Sequence, residues 1–393
     1  MSIGTRLFTG SGRLLAPEPY DGASPWAILV RDGRIERVGA RHDLPGTDDT
    51  VDLGEALVTP GLVDAHTHPV FAGDRSDEAA ARLAGARYDG GGILRTVAAT
   101  RSATDDQLEA LVEARMRMAL AAGTTTIECK SGYGLSTAEE LRALRILGRV
   151  AARVPAHLVR TFLGAHGVPP EAGSSAEYAA LVVEEMIPAV AAEGLADFCD
   201  VFCDAGFFRL SDAEAILGAA SAQGMGTRLH ADQLARTGAT ELGVRLGATS
   251  VDHLEQLDDA GVAVLAGSAT VATLLPGPAL VLRDRLPPAR ALLDAGATVA
   301  LASDSNAGTF GAWGAMPLVI GLGATLLGMT LAEAMAAATI GGAAALGLAG
   351  DRGLLAPRAG ADLVAWDAEH EGAFALHLGS VRPDRVFIGG DLA

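Results

Sequence analysis

From residue 62 to residue 302 the chain repeats one alternation, an apolar run of strand length followed by a longer stretch with helical period. The runs lie at 62–65, 124–127, 158–163, 198–202, 227–229, 250–252, 270–274 and 298–302, which makes eight. Stretches rich in Ala, Leu, Glu and Arg at 105–122, 137–154, 176–193, 211–223 and 237–246 carry the 3.6-residue period between them. Strands separated by helices run parallel, because each helix carries the chain back across the sheet. Eight such units are what a closed (β/α)8 barrel requires, so the expected class is α/β with a TIM-type barrel. In that fold the chemistry sits where the strands end.

The two ends of the chain read differently. Residues 27–30 and 35–38 flank Asp32-Gly33, a hairpin signal, and apolar runs recur at 361–366 and 385–388. They predict one small sheet domain built from residues 1–58 and 348–393 around a barrel at 59–347. Aromatic residues make up only 4% of the chain, so the core must be mostly Ala, Val and Leu. A net charge of -18 argues against a nucleic-acid or anionic-membrane partner, and an anionic small-molecule substrate would need its own local Arg or Lys. Cys129, Cys199 and Cys203 are odd in number and lack zinc-knuckle spacing, which fits a reducing compartment. With no apolar signal region after Met1 and no membrane-length apolar run, the chain is expected in the cytoplasm. The Ala/Leu-rich stretch 331–346 has two readings, burial against its own barrel or a homodimer contact, and burial is the simpler.

Residues just beyond the strands are the informative ones. The first run leads into His66-Thr67-His68, and extended backbone turns both histidines to one face, where they can share a metal ion. His166 comes after the third run, His230 after the fifth, His253 after the sixth and Asp304 after the eighth. Any one of these histidines alone is an ordinary core or surface residue, but five of the chain's nine at one rim is not chance placement. Three imidazoles and a carboxylate suit one divalent metal, zinc or iron, with a position left for water. The expected ligands are His66, His68, His230 and Asp304. Asp304 is also placed to move the proton of an attacking water, and His253 to polarise a scissile carbonyl. A bound divalent ion makes water nucleophilic near neutral pH, so the expected chemistry is metal-assisted hydrolysis.

The segment from Pro60 to His68, together with His230, His253 and Ala302-Ser303-Asp304, resembles the amidohydrolase superfamily, and the resemblance implies a metal-dependent barrel with a small β-sandwich built from both chain ends. Within it the chain resembles the imidazolonepropionase family, through His68-Pro69-Val70-Phe71-Ala72-Gly73-Asp74-Arg75, Lys130-Ser131-Gly132-Tyr133-Gly134, Leu163-Gly164-Ala165-His166, His230-Ala231-Asp232-Gln233 and the loop from Asp304 to Thr309. The resemblance implies hydrolysis of the cyclic amide of 4-imidazolone-5-propanoate to N-formimidoyl-L-glutamate in histidine degradation. It assigns substrate binding to Arg75, Tyr88, Tyr133, His166, Gln233, Asn306, Gly308 and Thr309, and it counts Gln233 also with the catalytic residues. Arg75 meets the need for a local cation, with a rim salt bridge to Asp74, Asp77 or Glu78 as the plainer alternative. The segment around Tyr88 is shorter than the family's, and the loop 305–313 lacks a Pro after Asn306. Deaminases of this type carry His-x-x-Glu where this chain has the neutral Gln233. Binuclear members carry a lysine after the fourth strand, where this chain has Cys203-Asp204-Ala205-Gly206, so one metal is expected and Lys130 reads as a structural charge or one that supports the metal ligands. A metal-free scaffold would have lost ligands, and none is missing.

Overall fold

The fold is described from a computed structural model, over residues 4–17, 20, 22–85 and 92–393. The N-terminal segment forms β1 (Thr5–Gly10), β2 (Trp26–Arg31), β3 (Arg34–Ala40), β4 (Thr50–Asp52) and β5 (Leu57–Pro60). The β2–β3 hairpin turns at Asp32 and Gly33, whose φ values of 53° and 76° are the pair that a two-residue turn of matching twist demands. After the barrel come β14 (Leu363–Trp366), β15 (Pro383–Ile388) and β16 (Asp391–Leu392). Two four-stranded sheets result, ordered β3-β2-β1-β4 and β16-β15-β14-β5. Their facing side chains, among them Phe8, Trp26, Ile28, Val58, Leu363 and Phe387, share one buried core. This is the sandwich expected from both ends, with β5 the strand that joins the C-terminal sheet from the N-terminal side.

Between them run β6 (Leu62–Asp64), β7 (Thr124–Lys130), β8 (His157–Ala165), β9 (Phe198–Cys203), β10 (Gly226–Ala231), β11 (Ser250–His253), β12 (Val271–Leu274) and β13 (Val299–Leu301). They form one eight-stranded parallel sheet in sequence order. All eight expected runs are strands, and the helices between them lie where the periodicity puts them; that at 176–193 contains one π-turn, Val182–Met186. The chain enters β6 through Gly61, where a Cβ would lie 2.1 Å from Oγ1 of Thr125, so only glycine lets β5 and β6 succeed each other this tightly. The stretch 331–346 packs on its own barrel: a Cβ on Gly341 would meet the Val299 carbonyl and one on Gly342 the Val63 carbonyl. Among the described residues, no helix is long and apolar enough to cross a membrane.

The seam between β13 and β6 is closed just beyond the strands. Thr67 pairs with Ser305, His68 N–H donates to the Ser305 carbonyl at 2.9 Å, and Asp304 N–H donates to the His66 carbonyl at 2.9 Å. One turn lower, Asp64 accepts from Ser303 N–H at 2.9 Å and from its hydroxyl at 2.6 Å. The seam therefore brings His66, His68 and Asp304 to one point.

Candidate metal centre and its cavity

Five imidazoles and one carboxylate converge at that end of the barrel, all of them buried: His66, His68, His166, His230, His253 and Asp304. Two overlapping groups hold their donor atoms within 4.8 Å of one another, His66 with His68 and His230, and His66 with His253 and Asp304. Nε2 of His66 and Nε2 of His68 are 3.2 Å apart. Oδ1 of Asp304 lies 3.3 Å from the His68 nitrogen and 3.7 Å from that of His66. Donors about 2.1 Å from a shared tetrahedral centre stand roughly 3.4 Å from each other, so these spacings are those of a coordination polyhedron.

The hydrogen bonding supports the same reading. Nδ1 of His66 faces Oδ2 of Asp252 at 2.7 Å, so it carries the proton and Nε2 presents its lone pair. Nδ1 of His230 lies 3.0 Å from Oδ2 of Asp200, off the line of a well-aligned hydrogen bond, and this too leaves Nε2 for the centre. Oδ1 of Asp304 has no hydrogen-bond partner among the described residues. Lone pairs facing one another around an orphaned carboxylate oxygen repel unless a cation lies between them. These donors fit one divalent metal.

Burial, reinforced by Lys130, holds the His66 pKa well below its ordinary value, and burial lowers that of His230 against the pull of Asp200. Both stay neutral, as ligands must. Burial opposes the charged form of His253 as well, but Glu255, with Nδ1 3.4 Å from its Oε1, outweighs it and raises the pKa. For Asp304 burial works against the carboxylate, and the closeness of His68 and His253 outweighs it, so its pKa falls.

Backbone strain concentrates here. His253, Leu254 and Asp304 have φ of 84°, 71° and 50°. Neighbours in a strand point to opposite faces, yet Asp252 and the next residue, His253, both reach His66, whose ring lies 5.5 Å from that of His253. The left-handed turn makes this double use possible.

A narrow cavity opens over the centre. His68, His230, His253 and Asp304 line its floor, and Arg75, Tyr133, His166, Gln233, Asn306 and Thr309 its walls. His166 stacks on His68 with centroids 5.0 Å apart, and its Nδ1 lies 2.9 Å from the Gly132 carbonyl oxygen. Tyr133 meets His166 edge-on at 5.1 Å. Arg75 is buried and donates to both oxygens of Glu78 at 2.8 and 2.7 Å, so it lines the cavity and makes the rim salt bridge as well. Gly308 packs against the Arg75 guanidinium. The Asn306 side chain is consumed by its own loop: Oδ1 accepts from the N–H groups of Gly308 and Thr309 at 2.7 and 2.8 Å, and Nδ2 donates to Oγ1 of Thr309 at 2.6 Å. It shapes the wall rather than offering a free amide. Tyr88 lies outside the described residues.

Ile93 and Phe202 also line the cavity, and nothing in the sequence pattern singles them out. Asp200, Asp252 and Glu255 also belong to the site; an acid inside an apolar run is a sequence signal for Asp200 and Asp252 only.

The profile of the Amidohydrolase family matches residues 57–393. The chain belongs to this family. It is 45% identical to the imidazolonepropionase of Nocardia farcinica, over 99% of this chain and 98% of that one. It is 49% identical to the imidazolonepropionase of Salinispora tropica, over 87% of this chain and 86% of that one. Among solved structures, a zinc-bound adenosine deaminase from Xanthomonas campestris superposes with a TM-score of 0.76 at 20% identity, over 98% of this chain and 92% of that one. A triazine hydrolase variant superposes with a TM-score of 0.78 at 17% identity, over 99% and 94%. At these identities the two structures speak for the amidohydrolase fold alone.

Proposed function

We propose that the chain hydrolyses the cyclic amide of 4-imidazolone-5-propanoate to N-formimidoyl-L-glutamate, the imidazolonepropionase reaction of histidine degradation. The observation that carries this reading is one small cavity with a cluster of metal donors on its floor and a buried arginine, Arg75, in its wall. An anionic ring substrate needs both. The identity to imidazolonepropionases, 45% over nearly the full length of both chains for that of Nocardia farcinica, supports the same substrate. We take His66, His68, His230 and Asp304 as the ligands of one metal ion, and zinc as the ion, because three imidazoles and a carboxylate suit it. When bound, the ion acidifies water and polarises a carbonyl oxygen.

The chain's own residues do the rest. Arg75 holds the propionate by charge-assisted hydrogen bonds, and Tyr133, His166 and Thr309 set the ring over the floor. Asp304 accepts the proton of the attacking water as the new C–O bond forms at the ring carbonyl carbon. His253 donates a hydrogen bond to the oxyanion. The C–N bond then breaks and Asp304 passes the proton to the leaving nitrogen. Gln233 can hold the substrate by hydrogen bonds but exchanges no proton, which separates this site from a deaminase with a glutamate there. We also place the protein in the cytoplasm, a setting supported by three buried, unpaired thiols.

The test is turnover of freshly made 4-imidazolone-5-propanoate by metal-analysed protein, read as loss of its ultraviolet absorbance against a His66→Ala control. Rapid loss with the unsubstituted protein alone is the expected result. One bound metal per chain without turnover would move the substrate elsewhere.

A further inference from the structure

Beneath the candidate ligands five charged side chains are wholly shielded from water: Glu128 and Lys130 on β7, Asp200 on β9, Arg228 on β10 and Asp252 on β11. They form one connected cluster. Nζ of Lys130 donates to Oε1 of Glu128 and to Oδ2 of Asp200, both at 2.7 Å. Arg228 donates to Oδ2 of Asp252 at 2.9 Å and to the Ala65 carbonyl at 2.7 Å, and its Nε lies 3.8 Å from Oε1 of Glu128.

Each anion of the cluster touches a different part of the ligand set. Asp252 faces Nδ1 of His66. Asp200 faces Nδ1 of His230 with one oxygen and accepts that residue's backbone N–H at 3.2 Å with the other. Glu128 accepts the backbone N–H of Thr67 at 3.1 Å, and its main-chain carbonyl accepts the Thr67 hydroxyl at 2.6 Å. Thr67 is the residue between the two histidines of the first strand, so Glu128 fixes the backbone that aims both of them. Buried ion pairs add little stability over apolar packing of equal volume, and their better-attested effect is to specify geometry. Lys130 hydrogen-bonds two of the three anions, whereas Arg228 hydrogen-bonds Asp252 and only approaches Glu128.

We propose that Lys130 is a positioning residue for the metal centre: by fixing Glu128 and Asp200 it sets the His66-to-His68 backbone and the His230 ring, and divalent-cation affinity depends on it. This role rests on the ligand set of the proposed function. Without the ammonium the Glu128 and Asp200 carboxylates lose the charge that holds them together, and both ligand segments lose part of their anchor. Outer partners of metal ligands typically contribute about 10- to 100-fold to metal affinity.

The experiment measures Zn2+ affinity by competition with a chromophoric chelator, on full-length metal-free protein, for the unsubstituted chain, Lys130→Met, Asp200→Asn and His66→Ala. The thermal transition of each metal-free protein is recorded alongside, and the visible absorption of each Co2+-substituted protein reports ligand geometry. The expected result is Zn2+ affinity weaker by about 10- to 100-fold in Lys130→Met and about tenfold in Asp200→Asn, with a displaced Co2+ band in both. Asp200→Asn preserves shape and keeps the test decisive if Lys130→Met fails to fold. Affinity within twofold of the unsubstituted chain and an unmoved Co2+ band in a folded variant, with binding lost in His66→Ala, would overturn the role of Lys130 alone. Unchanged binding in His66→Ala would overturn the ligand set, and the role of Lys130 with it.

Discussion

Replacing Gly308 by alanine tests the anion-binding wall with a single methyl group. The Gly308 backbone lies outside the left-handed region, so alanine adds no backbone strain. Its Cβ would lie 2.3 Å from Cζ and Nη1 of Arg75 and 2.7 Å from Nη2. Non-bonded carbon contacts need about 3.5 Å, so the guanidinium must move by roughly 1 Å. A flexible arginine tip could normally yield, but a Cβ on Gly92, on the Arg75 guanidinium as well, would meet Nη2 at 2.1 Å. The group lies between two residues that lack side chains and is anchored to Glu78, and it leaves only by breaking that pair. Losing a charge-assisted hydrogen-bonded contact costs about 1.5–3 kcal/mol, which converts to about 10- to 150-fold in KM. The assay is steady-state hydrolysis of 4-imidazolone-5-propanoate beside a ring analogue without the carboxylate. KM should rise by that factor for the propionate only, with kcat changed by no more than a few-fold. If KM stays level while Arg75→Ala raises it, the steric clamp is wrong; if both leave it level, Arg75 does not bind the carboxylate.

Three further outcomes are expected. His230→Ala should abolish metal binding and turnover together, and turnover with stoichiometric metal would remove it from the ligand set. Asp304→Asn keeps an oxygen for the metal but not a proton acceptor, so metal analysis should find the ion while kcat falls by about 10²- to 10⁴-fold; a near-normal rate would reject the proton transfer. Burial pushes the Cys203 thiol up to about 12 and raises Cys129 and Cys199 as well. At pH 8 the thiolate fraction of Cys203 is then about one in ten thousand, so a thiol-disulfide reagent should label all three only after denaturation. Rapid labelling of the native protein would contradict that burial.

The barrel was legible because its two periods alternate without interruption and because turn residues separate them. The strand ends were less so. The run expected at 124–127 continues to Lys130, and β8 runs from His157 to Ala165. Lys130 reads in the sequence as a structural or ligand-supporting charge, and the structure shows the partners that satisfy it, Glu128 and Asp200, facing the same lumen. The ligand histidines stood out because imidazoles at strand ends have one obvious use. Their partners Asp200 and Asp252 did not, since a lone acid in an apolar run gains meaning only when the strand beside it is known. Asn306 shows the opposite limit. The resemblance placed it at the substrate, but only the geometry shows that Gly308, Thr309 and the loop itself take up its amide.

The closure of the seam has a consequence for how the protein is made. Asp64 and Ser303, which staple the first barrel strand to the last, are 239 residues apart, and Asp304, the proposed carboxylate ligand, comes immediately after Ser303. A nascent chain therefore presents His66, His68 and His230 long before Asp304 leaves the ribosome. No fragment ending before that residue contains the whole proposed ligand set, and if that set holds the ion, tight capture waits until the ring of strands is complete. Under the proposed ligand set, loading of the centre would report that synthesis and barrel closure have both finished.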